Sequence, residues 1–164
     1  MADVTVRLLQ EGDDVVAAGV VVQSTYLQLP GYPRDDEYDE ALAAVAERSR
    51  VSDIVVAIDG DQIIGCLTYV ADHTDPAYEF ADPDGASFRY FAVSPIAQGQ
   101  GVGKGMVDWC IARARADGKR RLRIHTLESM PAAQRLYERL GFRRDPVNDE
   151  DWDGIKGIAY VYDC

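Results

Sequence analysis

The residues Gln98, Gly99, Gln100, Gly101, Val102, Gly103 and Lys104 sit where an apolar run, Tyr90 to Val93, gives way to an amphipathic helical pattern from Met106 to Ala116. Such a junction reads as a strand, a glycine turn and a helix start. Three glycines in five positions admit positive φ and keep Cβ atoms out of the way, so successive amide N–H groups can converge on one ligand. A helix beginning there adds its unpaired first-turn N–H groups and the positive end of its dipole. The stretch therefore predicts a cradle for phosphate.

Several nucleotide motifs share this physics, and most do not fit. A Walker A loop needs Gly at 98 and Ser or Thr at 105, where this chain has Gln98 and Gly105, which disfavours a nucleotide hydrolase. The dinucleotide pattern G-x-G-x-x-G fails in both registers, at Lys104 and at Met106. What remains is Gln-x-x-Gly-x-Gly, which resembles the pyrophosphate-binding signature of the GNAT superfamily of acetyl-CoA-dependent N-acetyltransferases. Two flanks extend the likeness. Phe91, Ala92, Val93, Ser94 and Pro95 resemble that family's fourth strand and the turn after it, and Pro131 to Phe142 resemble its A-x-x-L-Y-x-x-x-G-F helix and exit. The specific part of the resemblance covers about residues 87 to 144, and what precedes it is similar in topology only.

Taken in order, Val4, Val6 and Leu8 alternate as a strand, and Asp13 and Asp14 introduce a helix with apolar residues from Val15 to Val22. Residues 26 to 33 read as a loop rich in Pro, Gly and large side chains. Acidic residues 35 to 40 start a helix that Arg48 and Arg50 follow, charges that suit its dipole. Residues 54 to 70 read as a hairpin with the turn at Asp59-Gly60, and Gly65 marks a bulge or a close approach. A polar loop over 71 to 86 leads to the strand Ser87–Val93. After the glycine turn and its helix, which Gly118 ends, Leu122, Ile124 and Thr126 alternate as a strand expected to run parallel to the one before. Ser129 or Met130 caps the next helix, and two last strands, at 142 to 144 and 155 to 162, flank an acidic loop, Asp149 to Asp153.

Charge is divided along the chain. Residues 1 to 90 hold 18 Asp and Glu against 5 Lys and Arg, whereas 91 to 164 hold 10 against 12. The acidic first half argues against nucleic acid and suits a cationic acceptor such as an amine. No apolar run is long enough for a membrane span and no signal peptide is evident, so a cytoplasmic protein is expected. Cys66, Cys110 and Cys164 are odd in number and have no metal-ligand spacing with His73 or His125. They read as reduced thiols, two of them in the core, and no metal site is expected.

The resemblance implies an α/β (α+β) fold: a central, mixed, mostly antiparallel twisted sheet of about seven strands with four helices, splayed between strands 4 and 5, in one domain over residues 1–164. It implies transfer of an acetyl group from acetyl-CoA to a primary amine of a small molecule or peptide, by direct attack in a ternary complex. The other reading is a domain that binds or senses acyl-CoA without efficient transfer. By position, Phe91, Ala92 and Val93 would pair with the pantetheine arm, Gln98 to Lys104 would hold the pyrophosphate, and Met130, Ala133 and Tyr137 would line the cofactor from the later helix. Tyr137 would protonate the leaving thiolate, since a phenol of pKa about 10 is protonated at neutral pH. Tyr26, Leu29 and Tyr32 would wall the acceptor site. Many members carry a Glu where this chain has Arg89, which leaves the base to Glu79, Glu128, His125 or bulk water. Met130 stands where an Asn is frequent. Dimers are common in the family, and a homodimer is compatible with the sequence.

Overall fold

The structure is a computed structural model that describes residues 3–164. Its strands are β1 (Val4–Leu8), β2 (Asp53–Asp59), β3 (Gln62–Val70), β4 (Gly85–Val93), β5 (Arg121–Leu127), β6 (Arg143–Arg144), β7 (Glu150–Trp152) and β8 (Ile155–Asp163). Its helices are α1 (Val15–Leu27), α2 (Asp36–Ala43), α3 (Val45–Arg48), α4 (Val102–Ala116) and α5 (Pro131–Arg139). The sheet is mixed, in the order β1-β2-β3-β4-β5-β8-β6, with β7 also on β8. β4 and β5 run parallel, as the intervening helix requires, but their register spans only Gly85–Ser87 against Arg121–Arg123 while β4 continues to Val93. That early end of the ladder is the splay between the two strands. By contact density the chain falls into two compact units, one comprising the chain up to Tyr69 with Tyr90–Trp109, the other Val70–Arg89 with Cys110–Cys164.

In the first unit, β1, β2 and β3 form an antiparallel meander around a core that includes Val22, Leu42, Val55, Leu67 and Met106. The turn between β2 and β3 falls on Gly60-Asp61, one residue later than the Asp-Gly pair suggests, with Gly60 at φ +64. Gly65 fulfils both of its readings. The β2/β3 register shifts beside it, and a Cβ there would lie 2.7 Å from Met106 Sδ. α1 starts on Asp14, whose carboxylate accepts from the Ala17 N–H, and it runs five residues beyond the expected apolar stretch, so Tyr26 and Leu27 are helical rather than looped.

The single helix expected after the acidic run is two. α2 begins on Asp35, which accepts from Tyr38 N, and the chain breaks at Ala44, with φ −80 and ψ 53. Arg48 lies beyond the break and turns back, its guanidinium donating to the Ala41 and Leu42 carbonyls and to Thr68 Oγ1. Those carbonyls belong to the last turn of α2 and would otherwise lack partners, so the arginine ends one helix from within the next.

In the second unit, β5 and β8 pair over Arg121–Leu127 and Gly157–Asp163, with Leu122, Ile124 and Thr126 facing inward as their alternation predicts. The acidic stretch 149–153 is not a loop. Glu150, Asp151 and Trp152 form β7 against Lys156 and its neighbours, and the Trp152 ring fills the space where Gly157 lacks a side chain. The long polar segment before β4 is anchored by Asp82. Its buried carboxylate accepts from Arg121 at 2.7 and 2.9 Å, from Arg123 at 2.7 Å and from the Asp84 N–H.

Hydrogen bonds from Arg121, outweighing burial and joined by those from Arg123, hold the Asp82 carboxyl well below the usual carboxylate range. Because the folded value is depressed, this contribution is complete above the unfolded value near pH 4 and is lost as pH falls below it. Asp82→Asn should lower stability in urea at neutral pH by about 2–3 kcal/mol, the cost of leaving two part-buried guanidinium groups without their counterion. The deficit should shrink on acidification toward pH 2. A pH-independent difference would contradict the assignment.

Candidate active site

The glycine turn is assembled in the first unit. Pro95 opens a short 3₁₀ turn, Pro95–Ala97, Gln98 is extended, and Gly99 and Gly101 take φ +78 and +83 before α4 starts at Val102. Gly103 is helical and contributes by lacking a side chain at the first turn. A Cβ built on Gly99 or Gly101 meets no atom within 4 Å, so these glycines are demanded by the backbone angle and not by neighbouring protein. The helical ladder begins with Gly105 N on the Gly101 carbonyl, which leaves the Val102, Gly103 and Lys104 amides without partners inside the helix. Open space in front of two positive-φ glycines, next to first-turn amides, fits a diphosphate. Beside the turn, Val4, Thr5 and Val6 of β1 with Gln100, Gly101 and Gly105 line a cleft of about 530 Å³.

Side chains brace the turn from within. Gln98 folds back to donate to the Val93 carbonyl at 2.9 Å, and Gln100 donates to the Ile96 carbonyl at 3.2 Å. Lys104 pairs with Asp108 at 2.6 Å on the exposed face of α4, an i,i+4 contact weak enough to be exchanged for a phosphate. Ser94 N donates to the Ile64 carbonyl on β3. By the alternation of an extended strand, the Val93 N–H then points away from β3.

The residues expected to wall the acceptor site also lie in this unit, and they are partly committed to one another. Tyr26 is buried and meets the Tyr32 ring edge-on at 6.1 Å, while Leu29 is half-buried. The Tyr32 hydroxyl donates to Asp39 Oδ1 at 2.7 Å, and the other oxygen of that carboxylate accepts from Arg34. Burial, together with this bond to Asp39, pushes the Tyr32 phenol up. A further cluster had no sequence signal. Tyr90 in β4 has φ +53, with Arg48 4.0 Å over its ring and Tyr38 stacked on it at 6.0 Å. Only a Gly or Asn at 90 would have announced that backbone angle.

The second unit holds Tyr137. It is 4% exposed and packed among Phe88, Phe142 and Tyr160 at ring distances of 5.6–6.0 Å. Burial, with a smaller effect from Cys110, raises its pKa, so the phenol keeps its proton throughout the physiological range. Met130 precedes α5 without a side-chain cap, and Thr126 Oγ1 lies 3.9 Å from its sulfur. Ala133 is half-buried on α5, and Glu128 is exposed. Cys110 is buried, as is Cys66 of the first unit, whose thiol burial pushes up to about 12, and Cys164 is exposed.

The other candidate bases come together. Glu79 Oε1 lies 3.4 Å from Arg89 Nε and 3.3 Å from His125 Nδ1, and His125 Nε2 donates to the Asn148 carbonyl at 2.7 Å. The His125 ring stacks on Phe80 at 4.4 Å and meets Trp152 edge-on at 5.4 Å. Burial lowers its pKa, but the bonds to Glu79 and to the Asn148 carbonyl outweigh that and raise it. The Arg89 that displaces the usual Glu is thus itself paired with a carboxylate. No residue type foretold the part played by Asn148, because it acts through its backbone. Among the described residues no cluster suited to a metal ion occurs, and no helix is long and apolar enough to cross a membrane.

The model of the Acetyltransferase (GNAT) family matches residues 21–142, drawing on both units. A mycothiol acetyltransferase of Geodermatophilus obscurus is 33% identical over 100 residues, 59% of this chain and 30% of that protein, so the chain spans under a third of that relative's length. Among solved structures, a GNAT-family protein from Desulfovibrio desulfuricans superposes with a TM-score of 0.75 at 24% identity, over 98% of this chain and 99% of the other. A GCN5-related N-acetyltransferase from Kribbella flavida gives 0.73 at 21% identity, over 98% of each. A GNAT acetyltransferase from Elizabethkingia anophelis, solved with acetyl-CoA bound, gives 0.65 at 18% identity, also over 98% of each.

Proposed function

The chain belongs to the acetyltransferase (GNAT) family, and on that premise we propose that it transfers an acetyl group from acetyl-CoA to a primary amine of a small molecule or peptide, by direct attack in a ternary complex. The observation that carries the reading is the glycine turn. Two positive-φ glycines open onto free space at the start of α4, an arrangement suited to the pyrophosphate of coenzyme A. Gln98 to Lys104 hold that group in this reading. Phe91, Ala92 and Val93 align the pantetheine arm, and the Val93 N–H serves the oxygen on which charge builds during attack. Met130 and Ala133 flank the arm, and Tyr137 delivers its proton to the sulfur as the carbon–sulfur bond breaks. Positioning supplies most of the rest, since an amine held beside a thioester needs little covalent help.

Acidic groups of the first 90 residues favour a cationic acceptor, with Tyr26, Leu29 and Tyr32 as walls. Three free cysteines suit a reducing cytoplasm. The whole chain works as one catalytic domain in this reading. One observation favours a second reading, an acyl-CoA sensor: Arg89 stands where many relatives carry the base and is paired with Glu79. Release of free CoA, followed with DTNB over a panel of amino acids, polyamines and aminoglycosides, separates the two. Turnover with any of them supports the enzyme, and silence from protein that binds acetyl-CoA at micromolar concentration supports the sensor.

A further inference from the structure

We propose that Glu79 and His125 act as a single base, the Glu79 carboxylate receiving the proton of the acceptor ammonium and His125 storing it on Nδ1 under the control of the Asn148 carbonyl. This rests on the acetyltransferase reading above. A carbonyl oxygen cannot donate, so the 2.7 Å contact fixes a proton on Nε2 in every protonation state of the ring. Titration of His125 is thereby confined to Nδ1, which faces Glu79 Oε1 at 3.3 Å. When the ring is neutral, a lone pair confronts a carboxylate. When it is charged, the same contact is a charge-assisted hydrogen bond. The pair therefore attracts one proton more strongly than either group alone.

The gain addresses the chemistry directly. An isolated carboxylate with a pKa of about 4.3 is poorly matched to an ammonium near 10, whereas a pair titrating in or above the histidine range closes about two or three of those units. In the step, one N–H bond of the ammonium breaks and its electron pair stays on nitrogen for attack. The proton passes through Glu79, whose side chain is 22% exposed, to His125, whose side chain is 3% exposed and out of the acceptor's reach. Glu79 is the catalytic group, and His125 is a positioning residue. The surroundings hold the pair in place. Phe80 and Trp152 enclose the ring, Glu150 and Glu79 favour its charged form, Asp149 is itself tied to Arg144, and Arg89 steadies the carboxylate. Arg123 lies 6.0 Å over the Phe80 ring.

The proton can be observed without any acceptor. The chain has two histidines, and His73 is exposed, so H73N leaves His125 alone in a ¹⁵N ring spectrum. Titration should show Nε2 protonated at every pH and Nδ1 releasing its proton above the ordinary imidazole value. Glu79→Gln should lower that midpoint by a unit or more. An Nδ1–H neutral tautomer, or a midpoint indifferent to Glu79→Gln, overturns the pairing.

For the role in transfer, kcat/KM for ethylamine, spermidine, lysine and kanamycin is measured against pH with DTNB. It should rise through the same midpoint in the wild type, and Glu79→Gln and His125→Gln should each lower it at least tenfold and remove that limb. Wild-type rates and profiles in both variants, or no turnover with any of these amines from protein that binds acetyl-CoA, overturns the base. Absence of acetyl-CoA binding in the wild type would instead remove the acetyltransferase reading itself.

Discussion

Replacing Tyr137 by phenylalanine is expected to lower turnover tenfold or more while leaving acetyl-CoA affinity nearly unchanged. The substitution removes one oxygen and one proton from a ring whose packing against Phe88, Phe142 and Tyr160 is apolar. The fold should therefore tolerate it, with a melting temperature within a few degrees of the parent. What it removes is a phenol held in its protonated form by burial, the state needed to meet a departing thiolate. A loss confined to kcat with intact affinity is the signature of an interaction made only as the bond breaks. Unchanged turnover in a well-folded Tyr137→Phe protein would take Tyr137 out of the mechanism and return it to the core.

Gly101→Val should weaken acetyl-CoA binding a hundredfold or more. At φ +83 a β-branched residue is strained by about 1–2 kcal/mol, which amounts to a drop of a few degrees in melting temperature. The larger effect falls on the ligand. No protein atom lies within 4 Å of a Cβ at this position, so the valine would not clash with the fold and would project into the space the diphosphate is proposed to take. Retention of full affinity by the folded variant would place the diphosphate elsewhere. Calorimetry alongside thermal unfolding separates the two effects.

How legible these features were depends on how local their causes are. The glycine turn could be read because its backbone angles require a residue type that the sequence displays at 99 and 101. β5 could be read because burial alternates with its residues, Leu122, Ile124 and Thr126 inward. By contrast, the break between α2 and α3 is made by Arg48 reaching back to carbonyls six and seven residues earlier, which no propensity encodes. β7 was misread because three polar, acidic and aromatic residues make a strand only when β8 is present to pair with them. Likewise, Glu79 and His125 were both visible as titratable side chains, yet their contact joins residues 46 apart and depends on the backbone of Asn148. Long-range pairing and main-chain acceptors carry no residue signature.

Titration of the purified protein with acetyl-CoA in a calorimeter bears on the central claim with the fewest intermediaries. Saturable heat with one site per chain and micromolar affinity, abolished or greatly weakened in Gly101→Val and kept in Tyr137→Phe, is the predicted outcome. A folded wild-type protein that yields no heat with acetyl-CoA, or whose affinity is the same when Gly101 carries a valine, would contradict it.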